Sequence, residues 1–91
     1  MEIMSKSLVT MYSTVWCGYC QRLKKQLAEH SIEFTEVDIE EHPEFVDLIE
    51  SLNEGNRTVP TLVFSDGYSM TNPSAQAVAL KVAELESQST A

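Results

Sequence analysis

An α/β fold in the order β-α-β-α-β-β-α follows from three features of the sequence. Short β-rich apolar segments alternate with longer stretches whose apolar residues recur at helical spacing. An Asp66-Gly67 pair stands between two apolar runs, a strong local hairpin signal. Pro43 and Pro73 each stand where a helix would begin. At 91 residues the chain holds one domain, 1–91 with a core at about 8–86. A domain of that size has a radius of gyration of roughly 12 Å and one modest core, so a ligand would sit in a surface groove.

Leu8–Tyr12 is short, apolar and β-rich and reads as the first strand, running into a segment with two cysteines. From Gly18 to His30 the apolar positions Cys20, Leu23 and Leu27 alternate with Gln21, Arg22, Lys24 and Lys25, an amphipathic helix that starts at or just after Cys17. Glu33–Ile39 alternates as a second strand through Phe34, Val37 and Ile39. Pro43 then opens a helix through Leu52, with Phe45, Leu48, Ile49 and Leu52 as its buried stripe, and Glu54-Gly55-Asn56 ends it. Val59–Phe64 is the third strand, opened by Pro60, and Tyr68–Met70 pairs back across the Asp66-Gly67 turn as the fourth. Asn72 as N-cap and Pro73 at the first helical position start the last helix. Its Ala75, Val78, Val82 and Leu85 face inward to about Glu86, and Gln88–Ala91 is expected to fray.

Fourteen Asp and Glu oppose six Lys and Arg, a formal net charge of −8. That balance argues against nucleic acid, whose binding footprints are basic. No apolar run approaches the roughly 20 residues that span a bilayer, so no membrane role is indicated. Met1–Ser7 has one Lys and no apolar stretch, so it does not read as a secretory leader, and the expected location is cytoplasmic. The charges are segregated. Met11–Ala28 contains no acid but holds Arg22, Lys24 and Lys25, whereas Glu29–Glu54 holds ten acids and no Lys or Arg. Solvated faces account for such runs, although four of the six cations, Arg57 included, fall near the cysteines or near Pro60.

Cys17 and Cys20 are the only cysteines. A Cys-x-x-Cys where a strand turns into a helix suits thiol chemistry. The free N–H groups and positive dipole end of the helix favour a thiolate at Cys17, against a pKa of about 8.5 for a free Cys. Cys17 therefore reads as the nucleophile. Cys20, one turn further in, is near enough for a disulfide and shielded, as a second, resolving thiol would be. Three other readings compete. A four-residue loop yields only roughly 2 kcal/mol as a staple before strain is subtracted. A zinc site lacks partners, since there is no second Cys-x-x-Cys and His30 and His42 are not spaced as ligands, so no metal residues are assigned. Two inert buried thiols are common, but rarely at a helix start. Trp16 and Tyr19 flank the pair, either as ordinary packing or as walls of a ligand groove. For Val59-Pro60 the general preference of X-Pro bonds favours trans.

Tyr12-Ser13, Trp16-Cys17-Gly18-Tyr19-Cys20, Asn56-Arg57-Thr58-Val59-Pro60-Thr61 and Asp66-Gly67 stand in the order and spacing of glutaredoxins, and the chain resembles the mycoredoxins among them over residues 8 to about 86. The resemblance implies a thioredoxin fold, a four-stranded mixed sheet flanked by helices. It implies a cis Pro60 beside Cys17, with the Val59 backbone turned toward the substrate. Trp16, Tyr19, Arg57, Val59, Pro60, Thr71 and Asn72 are the substrate-binding candidates on this reading. Pro60 offers no N–H to the sulfur and blocks close approach of a metal.

The implied activity is reduction of mixed disulfides between proteins and mycothiol, a thiol built from acetylated cysteine, glucosamine and inositol. Mycothiol would be the reducing co-substrate, with no bound cofactor, glutathione being the lesser candidate. The partners would be mycothiolated proteins, with a mycothiol disulfide reductase acting indirectly, and the chain would be a monomer. Relative to glutathione-type glutaredoxins, Gly18 replaces a Pro, Thr14-Val15 lacks an upstream Lys, and Thr71-Asn72-Pro73-Ser74 replaces a Gly-rich turn followed by Asp. The start of a helix is an anion site, yet mycothiol lacks the carboxylate that glutathione places there. The Thr71 hydroxyl and Asn72 amide are expected to meet sugar hydroxyls, unless Asn72 only caps the helix. Two other functions stay open. One is an electron donor to ribonucleotide reductase, against which Thr71-Asn72-Pro73 counts. The other is a dimer bridging an iron–sulfur cluster through Cys17, which Gly18 permits.

Overall fold

A computed structural model describes residues 8–88; expectations placed on Met1–Ser7 and on residues 89–91 lie outside them. The elements are β1 (Val9–Ser13), α1 (Gly18–Glu29), β2 (Thr35–Asp38), a 3₁₀ turn (Pro43–Phe45), α2 (Val46–Leu52), β3 (Thr61–Phe64), β4 (Ser69–Thr71) and α3 (Ala75–Gln88). The expected order holds, and the four strands form one sheet in the order β2-β1-β3-β4. β1 runs parallel to β2, with Tyr12 opposite Val37, and antiparallel to β3, with Met11 opposite Leu62. β4 closes the other edge against β3, Leu62 opposite Met70. This is the thioredoxin fold.

The period of two along the strands divides the core. Val9, Met11, Leu62 and Phe64 face α1 and α3, where they meet Leu23, Leu27, Val78 and Leu85. Tyr12 faces the other side, with Ile39 and Ile49, and Phe45, Val46 and Val63 close around them. Of the stripe expected on α2, Ile49 is fully buried while Leu48 and Leu52 are exposed at 37% and 36%. The correction has a simple cause. Pro43–Phe45 is a 3₁₀ turn and α2 has only seven residues, so the short helix packs on the core through Ile49, with Val46 beside it.

Both internal helices end in left-handed backbone. Past α1, Ser31 takes φ 57°, its N–H donates to Ala28 O and that of Ile32 to Leu27 O, the paired bonds of a Schellman cap. Past α2, Glu54 and Gly55 take φ 57° and 92°, and the Gly55 N–H donates to Glu50 O at 2.7 Å. The hairpin loop is the one the expected strand ends leave between Phe64 and Tyr68. Gly67 N–H donates to Phe64 O and Phe64 N–H to Tyr68 O, so the loop is Ser65-Asp66-Gly67 and β4 begins at Ser69 rather than Tyr68. Gly67 takes φ 90°, which costs a residue without Cβ nothing. The last helix also starts later than expected. Ser74 Oγ accepts the Ala77 N–H at 3.1 Å, so Ser74 is its N-cap, not Asn72. Asn72 instead takes φ 47° and donates its N–H to Pro60 O at 2.8 Å.

Candidate functional site

The end of β1 sets the site. Ser13 and Thr14 are buried, the chain turns at Val15 and Trp16, and Cys17 becomes the N-cap of α1. An N-cap side chain accepts a bond from an N–H that the helix leaves without a partner. Here that acceptor is sulfur: the Cys20 N–H donates to Cys17 Sγ at 3.1 Å. Such a bond strengthens when its acceptor carries negative charge, and the helix dipole acts in the same direction. Cys17 itself is held by its N–H to Thr14 O at 3.3 Å. The residue is 5% exposed, whereas Cys20 behind it is 0% exposed. Burial, and then the contact with Cys17, pushes the Cys20 thiol up to about 12, against smaller opposing effects of the Thr14 backbone and Lys24. The two sulfurs are not bonded to each other. The pair is thus asymmetric: one sulfur meets an N–H donor at a helix start, and the other is fully enclosed and held protonated.

Val59-Pro60 is cis, as the family resemblance implied and against the general X-Pro preference. The segment meets the helix start from the opposite side, with Cys17 Sγ 3.8 Å from Val59 O. Pro60 is buried. The loop is braced from behind by Asn53, to which the sequence assigned no role. Its Nδ2 donates to Ile49 O and to Thr61 Oγ1, and its Oδ1 accepts from Thr71 Oγ1. Thr61 Oγ1 in turn donates to Thr58 O at 2.7 Å. One amide therefore ties the end of α2 to β3 at Thr61, next to Pro60, and to β4 at its register partner Thr71.

Trp16 and Arg57 meet along a groove of about 510 Å³ whose other walls are Thr14, Ile39, Glu40, Pro43 and Val46. Trp16 is 68% exposed, and its indole N–H donates to Glu40 Oε2 at 2.8 Å. Arg57 Nε donates to Glu50 Oε2 at 2.8 Å. Tyr19 does not share this groove; it is exposed on the first turn of α1 with the Arg22 guanidinium 5.8 Å from its ring centre. Thr71 and Asn72 stand across Pro60, their hydroxyl and backbone N–H committed to Asn53 and to Pro60. The candidates thus divide, with Cys17, Cys20, Val59 and Pro60 at the centre. Trp16 and Arg57 lie on one flank, Thr71 and Asn72 on the other. Glu40 escaped detection in the sequence because it sits in the acidic run, 24 residues from the indole it meets.

Of the cations in the basic stretch, Lys24 is tied to Glu36 at 2.9 Å, and Ser13 Oγ donates to the same carboxylate oxygen at 2.7 Å. Burial alone would raise the Glu36 carboxyl, but the hydrogen bonds from Lys24 and Ser13 outweigh it and hold the group below its ordinary value. Among the described residues no helix is long and apolar enough to cross a membrane.

A dithiol at a helix start, facing a cis-proline loop on a β2-β1-β3-β4 sheet, defines a redox protein of the thioredoxin fold. The glutaredoxin family model matches residues 9–68. The chain is 46% identical over 82 residues to a Mycobacterium tuberculosis protein named "Putative glutaredoxin", covering 90% of this chain and 98% of that one. It is 42% identical over 79 residues to Mycoredoxin 1 of Corynebacterium glutamicum, covering 87% and 98%. The crystal structure of a glutaredoxin from Methanosarcina mazei superposes with a TM-score of 0.69 at 21% identity, covering 84% of this chain and 78% of that one. The chain belongs to the glutaredoxin family, and it is a glutaredoxin-like thiol oxidoreductase acting on thiol-containing proteins.

Proposed function

We propose that this glutaredoxin reduces mixed disulfides between proteins and mycothiol, with mycothiol as its reducing co-substrate and no bound cofactor. The observation that carries the chemistry is the placement of Cys17 Sγ, which accepts the Cys20 N–H at 3.1 Å and faces Val59 O at 3.8 Å. Cys17 thiolate attacks the mycothiol sulfur of the mixed disulfide. The protein–mycothiol S–S bond breaks, a Cys17–mycothiol S–S bond forms, and the target leaves as a thiolate that takes a proton from water. A second mycothiol thiolate then attacks the mycothiol sulfur on Cys17, forming mycothiol disulfide and restoring Cys17. Both steps are thiol–disulfide exchanges, and Cys17 serves as attacker in the first and leaving group in the second.

Cys20 serves a side route in which its thiolate attacks Cys17 Sγ, expels mycothiol and leaves a Cys17–Cys20 disulfide. Because Cys20 is buried and held protonated, the single-cysteine cycle is the main one. Val59 and Pro60 flank the attacked sulfur with backbone, and Pro60 brings no competing donor. Support for mycothiol comes from the mycoredoxin relative. Support also comes from the absence of a Lys at Thr14-Val15 and of the Gly-rich turn and Asp at Thr71–Ser74. A donor to ribonucleotide reductase is less well supported. A relative named NrdH, from Lactococcus lactis, is 41% identical over only 59 residues, 65% of this chain and 79% of that one.

The test is intact-mass measurement of the Cys20→Ser protein offered mycothiol disulfide and glutathione disulfide separately. A mycothiol adduct on Cys17 is expected. A glutathione adduct without a mycothiol adduct overturns the assignment.

A further inference from the structure

We infer that the groove between Trp16, Glu40 and Arg57 is the site for the uncharged polyol portion of the co-substrate thiol, and that its acidic wall excludes thiols with an anionic tail; this inference rests on the mycothiol reading above. Position is the first argument. The groove begins one residue from the nucleophile, at Trp16, and its wall includes Thr14, whose carbonyl accepts the Cys17 N–H. On the far side it includes Arg57, two residues before the Val59 carbonyl that faces Cys17 Sγ. A thiol engaged at Cys17 and running along Val59 therefore passes its remaining atoms into this groove. At about 510 Å³ the groove falls within the ~300–1,000 Å³ of ordinary small-molecule sites.

Chemistry is the second. Ile39, Pro43 and Val46 make an apolar floor, and the exposed indole ring of Trp16 stands beside it. The polar walls are a carboxylate, Glu40, and a guanidinium, Arg57, an acceptor and a donor with complementary hydrogen-bonding roles. An aromatic wall with an acceptor on one side and a donor on the other matches a ring that is apolar on its C–H faces and ringed by hydroxyls. The indole N–H is already committed to Glu40, so the ring is held in place and loses little freedom when a ligand arrives.

Charge is the third. Arg57 is paired with Glu50 and the Glu40 carboxylate meets the neutral indole N–H of Trp16, so these three charged groups together carry one net negative charge. A carboxylate tail entering there meets like charge, whereas an uncharged glucosamine amide and inositol do not. Across Pro60, the alternative flank at Thr71 and Asn72 has its hydroxyl proton and backbone N–H already committed to Asn53 and Pro60.

The test uses S-methyl mycothiol and S-methyl glutathione, which cannot exchange disulfides. Each is titrated into the full-length reduced protein while the indole N–H signal of Trp16, the only tryptophan, is followed by NMR. Turnover of a mycothiolated protein is measured in parallel. S-methyl mycothiol is expected to move the indole signal and S-methyl glutathione to leave it in place. Trp16→Ala is expected to raise KM for mycothiol by roughly three- to tenfold, the range of an aromatic contact, with kcat changed far less. Glu40→Lys, a surface change that leaves the apolar floor intact, is expected to shift the ratio of kcat/KM values toward glutathione by roughly tenfold or more. If wild-type protein turns over mycothiol but the indole signal stays still and Glu40→Lys leaves the ratio unchanged, the groove assignment is overturned and the function stands. Turnover with glutathione and none with mycothiol overturns the function itself.

Discussion

Cys17 and Cys20 lie one helical turn apart and meet opposite surroundings: Cys17 Sγ receives an N–H, while Cys20 is enclosed. Cys17→Ala is expected to abolish turnover, and Cys20→Ser to keep it within the same order of magnitude, as a coupled assay of mixed-disulfide reduction would show. The proton on Cys20 also links to stability. Its pKa rises from 9.0 in the absence of the fold to about 12 within it. Between those values the native state holds a proton that the unfolded chain has lost, so unfolding free energy falls as pH rises through this window. Below pH 9 the effect is absent. Urea midpoints of the reduced protein at pH 8 and pH 10.5 should therefore differ more for wild type than for Cys20→Ala; equal differences would show that other groups govern the alkaline limb. The dithiol at a helix start was legible from the Cys-x-x-Cys and its position alone. Glu40 and Asn53 were not, because their roles depend on residues 24 and 18 positions away.

Capping carries the argument at the level of elements. Ser74, not Asn72, supplies the acceptor at the start of α3, so Ser74→Ala should cost about 1 kcal/mol in urea denaturation, and Asn72→Asp should cost less. Both residues are polar and both precede an apolar run, so local pattern could not choose between them. The choice fell to Asn72 being drawn into left-handed backbone by its bond to Pro60 O. Ser31 at φ 57° occupies a position where glycine is the usual residue. Ser31→Gly is expected to stabilise the protein by about 0.5–1 kcal/mol, the steric relief exceeding the added freedom of the unfolded chain; a loss of stability would mean the side chain contributes more than its backbone costs. Asn53 is the joint of the site. Asn53→Ala leaves the buried Thr61 hydroxyl without the Asn53 amide and frees the Thr71 hydroxyl, and should cost about 1–3 kcal/mol.

Across the whole molecule, charge is divided between a basic stretch on α1 and an acidic one that runs through β2 and α2. Lys24–Glu36, Arg57–Glu50 and Lys81–Asp66 are ion pairs at the surface, each worth little in water, while a net charge of −8 repels itself throughout. Repulsion is the larger effect. Thermal midpoints should therefore rise between about 10 mM and 150 mM salt, where the screening length shortens from roughly 30 Å to 8 Å; a fall would assign the larger share to the ion pairs. The same division gives the groove its acidic wall, which read in the sequence only as a solvated face.

The order of elements, the buried face of α1 and the dithiol at a helix start were determined by the sequence itself, because each is written in local spacing along the chain. Packing alone decided the rest. It exposed Leu48 and Leu52, set Val59 O against Cys17 Sγ, and brought Glu40 to Trp16. These are meetings between segments far apart in the chain, and periodicity along one segment carries no information about the distance to another.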